Sequence, residues 1–332
     1  MEIVLIGASN NLKNINSSIF KELNITVKYL VTTTITERAK FFSKKFKTSI
    51  INYEDFKSKN DFEIAYISTY ENKRYEIAKQ LILNRKDIIL EKNFLLDEIK
   101  EKELIELSKK KNTNIFQSLI VKYHDQYHEI IKKHNNKLGK ISHINLIFSA
   151  PFKDLKNYRL TSKINGGIIN DYLNYIIETF KNVTDEEIIS FDVIKERHNK
   201  YNIETTVKFF FKFTNSITGN VLISYDFFKQ NSSEIICENG SIKFYHPITF
   251  TKRTRIDLFL LKDKFQRSIF HLKTMLMPKY KYYYSKHEIK SSIVEFNDPI
   301  YNMFKNIVTK KNIPNLRFNN LNLFHKIKNF KC

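Results

Sequence analysis

The sequence predicts a doubly wound parallel α/β domain followed by an α+β domain built on a large, mostly antiparallel open sheet. Three observations carry this reading. Residues 1–117 alternate short apolar runs with helix-period segments, the pattern of βαβ units. From about residue 120 the pattern changes to long strand-like runs separated by turn dipeptides, which suits hairpins. The chain has 332 residues, enough for two substantial cores. With no Pro- or Gly-rich linker, the change in pattern alone sets the boundary, giving domains 1–119 and 120–332.

In chain order, Ile3–Ile6 and Val27–Val31 read as the first two strands. Thr36 is placed to cap a helix from Glu37 through Phe46. Glu63–Ile67 is a further strand, followed by a helix at about Lys73–Asn84. Ile88-Ile89-Leu90 is an uninterrupted apolar run, as expected of a strand covered on both faces. A charged helix over Asp97–Lys110 and a strand over Asn114–Ile120 complete the first domain. In the second, a helix at about Asp125–Asn136 precedes strands at Ile141–Ser149, Ile203–Phe213, Asn220–Phe228, Ser233–Glu238 and Ser241–Tyr245. Helices are expected at about Ile168–Asn182 and Ile300–Lys310.

Composition narrows the function classes. A hydrophobic content of 42% and an aromatic content of 14% belong to a globular protein. No apolar run approaches the ~20 residues of a membrane span, and Met1–Gly7 runs straight into a strand without the basic start of a signal peptide. Cys237 and Cys332 are the only cysteines, which argues for a reducing compartment, so a cytoplasmic location is expected. The net charge of +21 invites a nucleic-acid reading, but lysine dominates it and no recognition motif accompanies it. No nucleic-acid partner is expected; the field would instead favour an acidic or phosphorylated small molecule.

Glu91 and Lys92 stand at the carboxyl end of the Ile88–Leu90 strand, where open α/β sheets bind their ligands. The first strand runs into Gly7-Ala8-Ser9-Asn10-Asn11-Leu12, at the position of a dinucleotide loop opening a helix. Only the first of three expected glycines is present. Ser9 replaces the one that admits pyrophosphate, and Leu12 the one that permits close helix–strand packing. After the second strand, Thr32-Thr33-Thr34 with Arg38 and Lys40 beyond replaces the acidic residue that usually binds ribose. Hydroxyls and a cation suit a 2′-phosphate, so NADP is expected over NAD; ordinary helix-surface charges would read the same way. Gly166-Gly167 precedes Asp171 and Tyr175, which share one helix face four residues apart. A nearby ammonium, such as Lys92, would favour the phenolate of Tyr175. In isolation, such a pair is more often a helix-surface acid and a half-buried aromatic.

Taken together, the chain resembles the glucose–fructose oxidoreductase / inositol dehydrogenase / MocA family over nearly its whole length. The family's Glu-Lys-Pro motif matches Glu91-Lys92-Asn93, with the proline lost. Its triple glycine and Asp-x-Gly-x-His/Tyr run match Asn165-Gly166-Gly167, Asp171, Leu173 and Tyr175. Further echoes are Tyr53–Phe56, Leu138–Ile141, Tyr158-Arg159 and Glu238–Ile242. The resemblance implies a Rossmann domain, a second domain whose open sheet mediates homo-oligomerisation, and NAD(P)-dependent hydride transfer to or from a sugar, nucleotide-sugar or related polyol, with surface polysaccharide synthesis one setting for it. It implies that Lys92 is the catalytic lysine, that Tyr175 exchanges the substrate proton and that Asp171 orients substrate, with Arg159 and Lys122 contacting it. The cofactor would meet Gly7, Ser9, Asn10, Thr33, Thr34, Arg38, Ser68, Thr69, Glu91 and Lys92.

The departures fall on the cofactor side. The family's Thr-Pro-Asn-x-x-His loop reads Thr69-Tyr70-Glu71-Asn72-Lys73-Arg74 here. They leave open a non-catalytic ligand-binding or regulatory homologue, and a redox-neutral elimination or epimerisation. Two other signals are set aside. His124 and His128 have zinc spacing on a helix but no third ligand, so no metal is expected. Leu258–Met277 has apolar residues at helical spacing, followed by Lys279–Tyr284; an amphipathic helix packed on the sheet or a partner is expected, with binding to an anionic membrane the lesser alternative.

Overall fold

Six parallel strands form the first sheet: β1 (Glu2–Ile6), β2 (Thr26–Thr32), β3 (Ser49–Asn52), β4 (Ile64–Ile67), β5 (Asp87–Glu91) and β6 (Ile115–Ser118). They run in the order β3-β2-β1-β4-β5-β6, so the winding reverses between β1 and β4. The computed structural model describes residues 1–69, 71–92, 97–151, 157–161, 166–199, 202–247, 252–261, 287–309 and 321–328.

The chain divides into two units. One holds Met1–His124, Lys156–Ile177 and Asn297–Lys331; the other holds Asp125–Leu155, Glu178–Phe296 and Cys332. The sequence places a single boundary at residue 119/120, whereas the first unit also takes in two later stretches of chain.

In the first unit the strand side chains alternate between two covered faces. On one, Ile3, Leu5, Leu30, Tyr66 and Ile89 pack with Phe20 of α1 (Ser17–Glu22), with Phe42 and Phe46 of α2 (Glu37–Phe46), and with a helix from near the end of the chain. On the other, Val4, Ile6, Ala65, Ile67, Ile88 and Leu90 pack with Ala78, Leu81 and Ile82 of α4 (Glu71–Leu83) and Leu104 of α5 (Glu98–Lys111). A four-residue turn of helix, α3 (Tyr53–Phe56), lies between β3 and α4. Burial on both faces explains why these strands read as continuous apolar runs. Thr36 caps α2 as expected, accepting from the Ala39 N–H at 3.2 Å, and Asp97 caps α5 through the amides of Ile99 and Lys100.

The second unit is built on an eight-stranded sheet: β7 (Ile141–Ser149), β8 (Ile188–His198), β9 (Glu204–Phe213), β10 (Thr218–Ser224), β11 (Gln230–Cys237), β12 (Gly240–Tyr245), β13 (Arg253–Leu261) and β14 (His287–Glu295). Its order is β14-β13-β12-β11-β7-β10-β9-β8, and only the β7–β10 pairing is parallel. Inward residues of β9 and β12 meet rings from the helices. Phe180 lies edge-on to Phe211 and Phe213, both at 5.0 Å, and Tyr127 of α6 (Gln126–Leu138) meets Phe244 at 4.7 Å. The remaining helices are α7 (Tyr158–Thr161), α8 (Ile168–Val183), α9 (Pro299–Thr309) and α10 (Leu321–Lys328). In the first unit, α9 supplies Phe304, edge-on to Phe20 at 4.9 Å.

Two expectations are corrected. Residues 258–261 belong to strand β13 and not to an amphipathic helix; their pairing with β12 and β14 overrides the local helical spacing. The rest of that stretch, with Lys279–Tyr284, lies outside the described residues. Residues 10–14 form a 3-10 turn where an α-helix was expected to open. Leu12 is fully buried there, and Lys45 from α2 donates to the Leu12 and Lys13 carbonyls at 3.2 and 2.8 Å. Among the described residues no helix is long and apolar enough to cross a membrane.

Candidate active site

The carboxyl ends of β1 and β4 meet at the point where the winding reverses, the place where doubly wound sheets take a ligand. Gly7 leaves β1 with φ of +90°, and a Cβ there would meet the Ser68 carbonyl and the Thr69 methyl, both at 3.1 Å. Only glycine suits that combination. Ser68 holds the turn: its N–H reaches the Ile6 carbonyl at 2.8 Å, and its hydroxyl reaches the Gly7 carbonyl at 2.8 Å. Next to it, Ser9 Oγ and Thr69 Oγ1 are buried with no hydrogen-bond partner among the described residues. Two buried donors without partners at a strand switch point fit the polar groups of a bound dinucleotide. Asn10 stands exposed at the start of the 3-10 turn. Thr33, Thr34 and Arg38 are exposed beyond β2, and Arg38 makes no ion pair among the described residues. Lys40 is paired with Glu37 at 2.7 Å.

Four of the expected substrate-side groups come together in the first unit. The Lys92 ammonium donates to the Asp171 carbonyl at 2.8 Å and pairs with the Asp171 carboxylate. Arg159 Nε holds the other carboxylate oxygen at 3.2 Å. Lys92 also lies over the face of the Tyr175 ring, 5.0 Å from its centre. The side chains of Lys92 and Asp171 are only 16% and 15% exposed, so the pair works in a lowered dielectric. Local structure sets the geometry. Gly167, at φ of +95°, donates its N–H to the Arg159 carbonyl at 2.9 Å, tying the start of α8 to α7. The Asn170 side chain bonds the Gly166 carbonyl at 2.7 Å. The first turns of α8 then present Asp171 and Tyr175 on one face, the spacing read in the sequence.

Burial above all, then the charges of Asp171 and Glu91, push the Tyr175 phenol above its ordinary range, and Tyr172 is pushed up by burial and Asp171. Both effects favour the protonated form of Tyr175.

Glu91, expected at the cofactor, points inward instead. Its carboxylate is 6% exposed, accepts from the Tyr66 hydroxyl, and takes the Lys92 N–H at 3.3 Å. The Tyr66 oxygen also lies 3.1 Å from Ser118 Oγ. Burial pushes the Glu91 carboxyl up, opposed by the Tyr66 bond and the Arg74 charge. Lys122 is half-buried in the 3-10 turn Ile120–Tyr123, just after the carboxyl end of β6. His124 precedes α6 in extended conformation, so it and His128 do not share a helix face and the spacing argument for zinc does not apply.

The sequence reading missed the roles of Tyr66, Ser118 and Arg74. For the first two the signal is faint: Glu91 is the register partner of Ser118, and Tyr66 lies diagonally across β4. Arg74 stood out only as a missing histidine.

The first unit is thus a doubly wound α/β unit with two buried, unpartnered hydroxyls at its switch-point turn and a lysine–aspartate–arginine–tyrosine cluster. Residues 126–243 match the model described as the GFO/IDH/MocA C-terminal domain. No curated protein matches the chain in sequence. Solved structures match it in fold. The 3-ketoreductase KijD10 from Actinomadura kijaniata, in complex with NADP and TDP-benzene, has a TM-score of 0.76 at 13% identity, covering 94% of this chain and 89% of its own. Levoglucosan dehydrogenase, in complex with NADH and L-sorbose, has a TM-score of 0.71 at 14% identity, covering 93% and 90%. The aldose–aldose oxidoreductase from Caulobacter crescentus, complexed with glycerol, has a TM-score of 0.68 at 15% identity, covering 94% and 97%.

Proposed function

We propose that this chain is an NAD(P)-dependent oxidoreductase acting on a carbinol or carbonyl carbon of a sugar or nucleotide-sugar. The observation that carries the reading is the Lys92–Asp171 pair, braced by Arg159 and set over the Tyr175 ring. When bound, a nicotinamide cofactor supplies or accepts the hydride. Gly7, Ser9, Ser68 and Thr69 would hold it, because the turn they form presents two buried hydroxyls without partners.

Asp171 and Arg159 provide an acceptor and a donor for neighbouring substrate hydroxyls, and Lys92 polarises the reacting oxygen. Tyr175, kept protonated, gives its proton to that oxygen as the carbonyl carbon gains hydride, producing the alcohol. General acid assistance of this kind contributes ~10²–10⁴ in rate.

Arg38 and the Thr33-Thr34 hydroxyls support NADP over NAD. The exposed face of the second unit's sheet, with Ile194, Phe210, Ile236, Ile289 and Ile293 among its polar residues, supports homo-oligomerisation. A cytoplasmic sugar-modifying role, such as one in surface polysaccharide synthesis, is consistent with such a substrate. One observation favours a non-catalytic homologue: Leu12 fills the position where a glycine usually permits close helix–strand packing in a dinucleotide loop.

A thermal-shift titration with NADPH and NADH separates the two. A ligand that binds only the native state raises the midpoint, by ~2.7 kcal/mol of stability at 100 times its Kd. A shift with NADPH, larger than with NADH, is the expected result. No shift with either would leave the non-catalytic reading.

A further inference from the structure

Arg74 occupies the position where the family has its loop histidine, yet its guanidinium does not face outward. It is 3% exposed, a buried cation. Its NH2 donates to the Thr69 carbonyl at 2.8 Å, and its NH1 donates to the carbonyls of Glu91 and Lys92 at 3.2 and 3.4 Å. Its charge also acts on the Glu91 carboxylate, opposing the effect of burial. One planar fork thus joins the end of β4, which carries the vacant Thr69 hydroxyl, to the backbone that carries the Lys92 ammonium.

A histidine cannot do this. An imidazole has two ring nitrogens, whereas a guanidinium presents five N–H groups in a fixed plane. Lysine has the charge but not the fork. Lys92 directly follows β5, so the contacts of its backbone set where the side chain that reaches Asp171 and Tyr175 begins. Glu91 restrains it from one side by accepting its N–H at 3.3 Å, and Tyr66 in turn fixes Glu91.

We propose that Arg74 is a positioning residue that holds the Lys92 backbone in register with the Thr69 turn, so that the ammonium is delivered to Asp171 and Tyr175. The arrangement rests on the reading of Lys92 as the working lysine, but its test does not require turnover. With the full-length chain, amine acetylation by a water-soluble N-hydroxysuccinimide ester is followed by mass spectrometry, residue by residue. Lys40, exposed on α2, is the internal reference.

In the wild-type chain Lys92 reacts slowly against Lys40, being held by Asp171. In Arg74→Ala, Lys92 labelling accelerates roughly tenfold, the scale of losing a charge-assisted bond, while Lys40 is unchanged. Arg74→Lys stays close to Arg74→Ala, and low concentrations of guanidinium return protection to Arg74→Ala. Should Arg74→Ala fail to fold, Arg74→Lys and Arg74→Gln give the same comparison. An unchanged Lys92 rate in folded variants overturns the proposal, as does full protection in Arg74→Lys. NADPH binding, followed by fluorescence on the same proteins, separates the two claims. A wild-type chain that binds no NADPH but shows the labelling pattern loses the enzyme reading and keeps the positioning role.

Discussion

The Lys92 ammonium lies over the face of the Tyr175 ring, 5.0 Å from its centre, while its charge is taken by Asp171. A cation so placed steadies the ring without ionising it. Tyr175→Phe removes the proton donor and keeps the ring contact. Carbonyl reduction is expected to fall by ~10²–10⁴ with the circular dichroism spectrum and cofactor affinity intact. Near-normal turnover in the variant would remove Tyr175 from the mechanism.

The pH dependence follows from the same group. The folded-state value of Tyr175 lies above the ordinary tyrosine value of about 10, so the folded chain holds this proton more tightly than the unfolded chain does. Its contribution to stability is complete below about pH 10 and is lost as pH rises beyond that. Reduction by the wild type should therefore show no alkaline loss assignable to Tyr175 between neutrality and about pH 9. A Tyr175-dependent fall near neutrality in a pH–rate profile would contradict this.

Cofactor choice is expected to depend on Arg38. Arg38→Ala should weaken NADPH binding by about 1.5–3 kcal/mol, the worth of a hydrogen bond to a charged group, and leave NADH affinity little changed. Parallel fluorescence titrations of the two cofactors measure this. Equal losses would show that Arg38 does not read the 2′-phosphate.

His325 and Glu101 form a buried pair in the first unit, Nε2 lying 2.7 Å from Oε2 with side-chain exposures of 4% and 1%. The pair fastens α10 to α5. Leaving a buried hydrogen-bonding group without its partner costs about 1–3 kcal/mol, so His325→Ala should lower stability by about that much in chemical denaturation. Hydrogen exchange should rise first in residues 321–328.

At Gly240 an added Cβ would stand 2.1 Å from the Phe259 carbonyl oxygen. Gly240→Ala must push β12 from β13, at a cost of about 1–3 kcal/mol. Thermal melts against Asn239→Ala, at the neighbouring position, would isolate the effect.

How far the sequence could be read depended on where the information resides. Thr36 and Glu37–Phe46 were legible because a cap and an apolar period are local signals. The Ile88–Leu90 strand was legible because both its faces are covered. Strand β8 was missed because most of its residues are exposed and leave no clear alternation. Strand β3 was missed because it is four residues long and only partly buried. The helical spacing at 258–261 was real but yielded to pairing with strands on either side. In the site, the spacing of Asp171 and Tyr175 was visible, and Lys92 was a candidate to meet them that the resemblance made specific. Sequence shows which charges exist but not which are paired, so the Lys92–Asp171 ion pair beside the phenol was not legible as a contact. The Arg74 fork was invisible because its partners are backbone carbonyls, which every residue has.

The chain's cations are mostly lysines, and the net charge of +21 comes largely from them. Most lysines discharge above about pH 10.4, whereas guanidinium groups stay charged. In strong alkali the long-range attraction for anions would fade, while the positive charges of Arg74 and Arg159 would persist. The long-range field should therefore be lost in a lower alkaline range than the guanidinium contacts of Arg74 and Arg159.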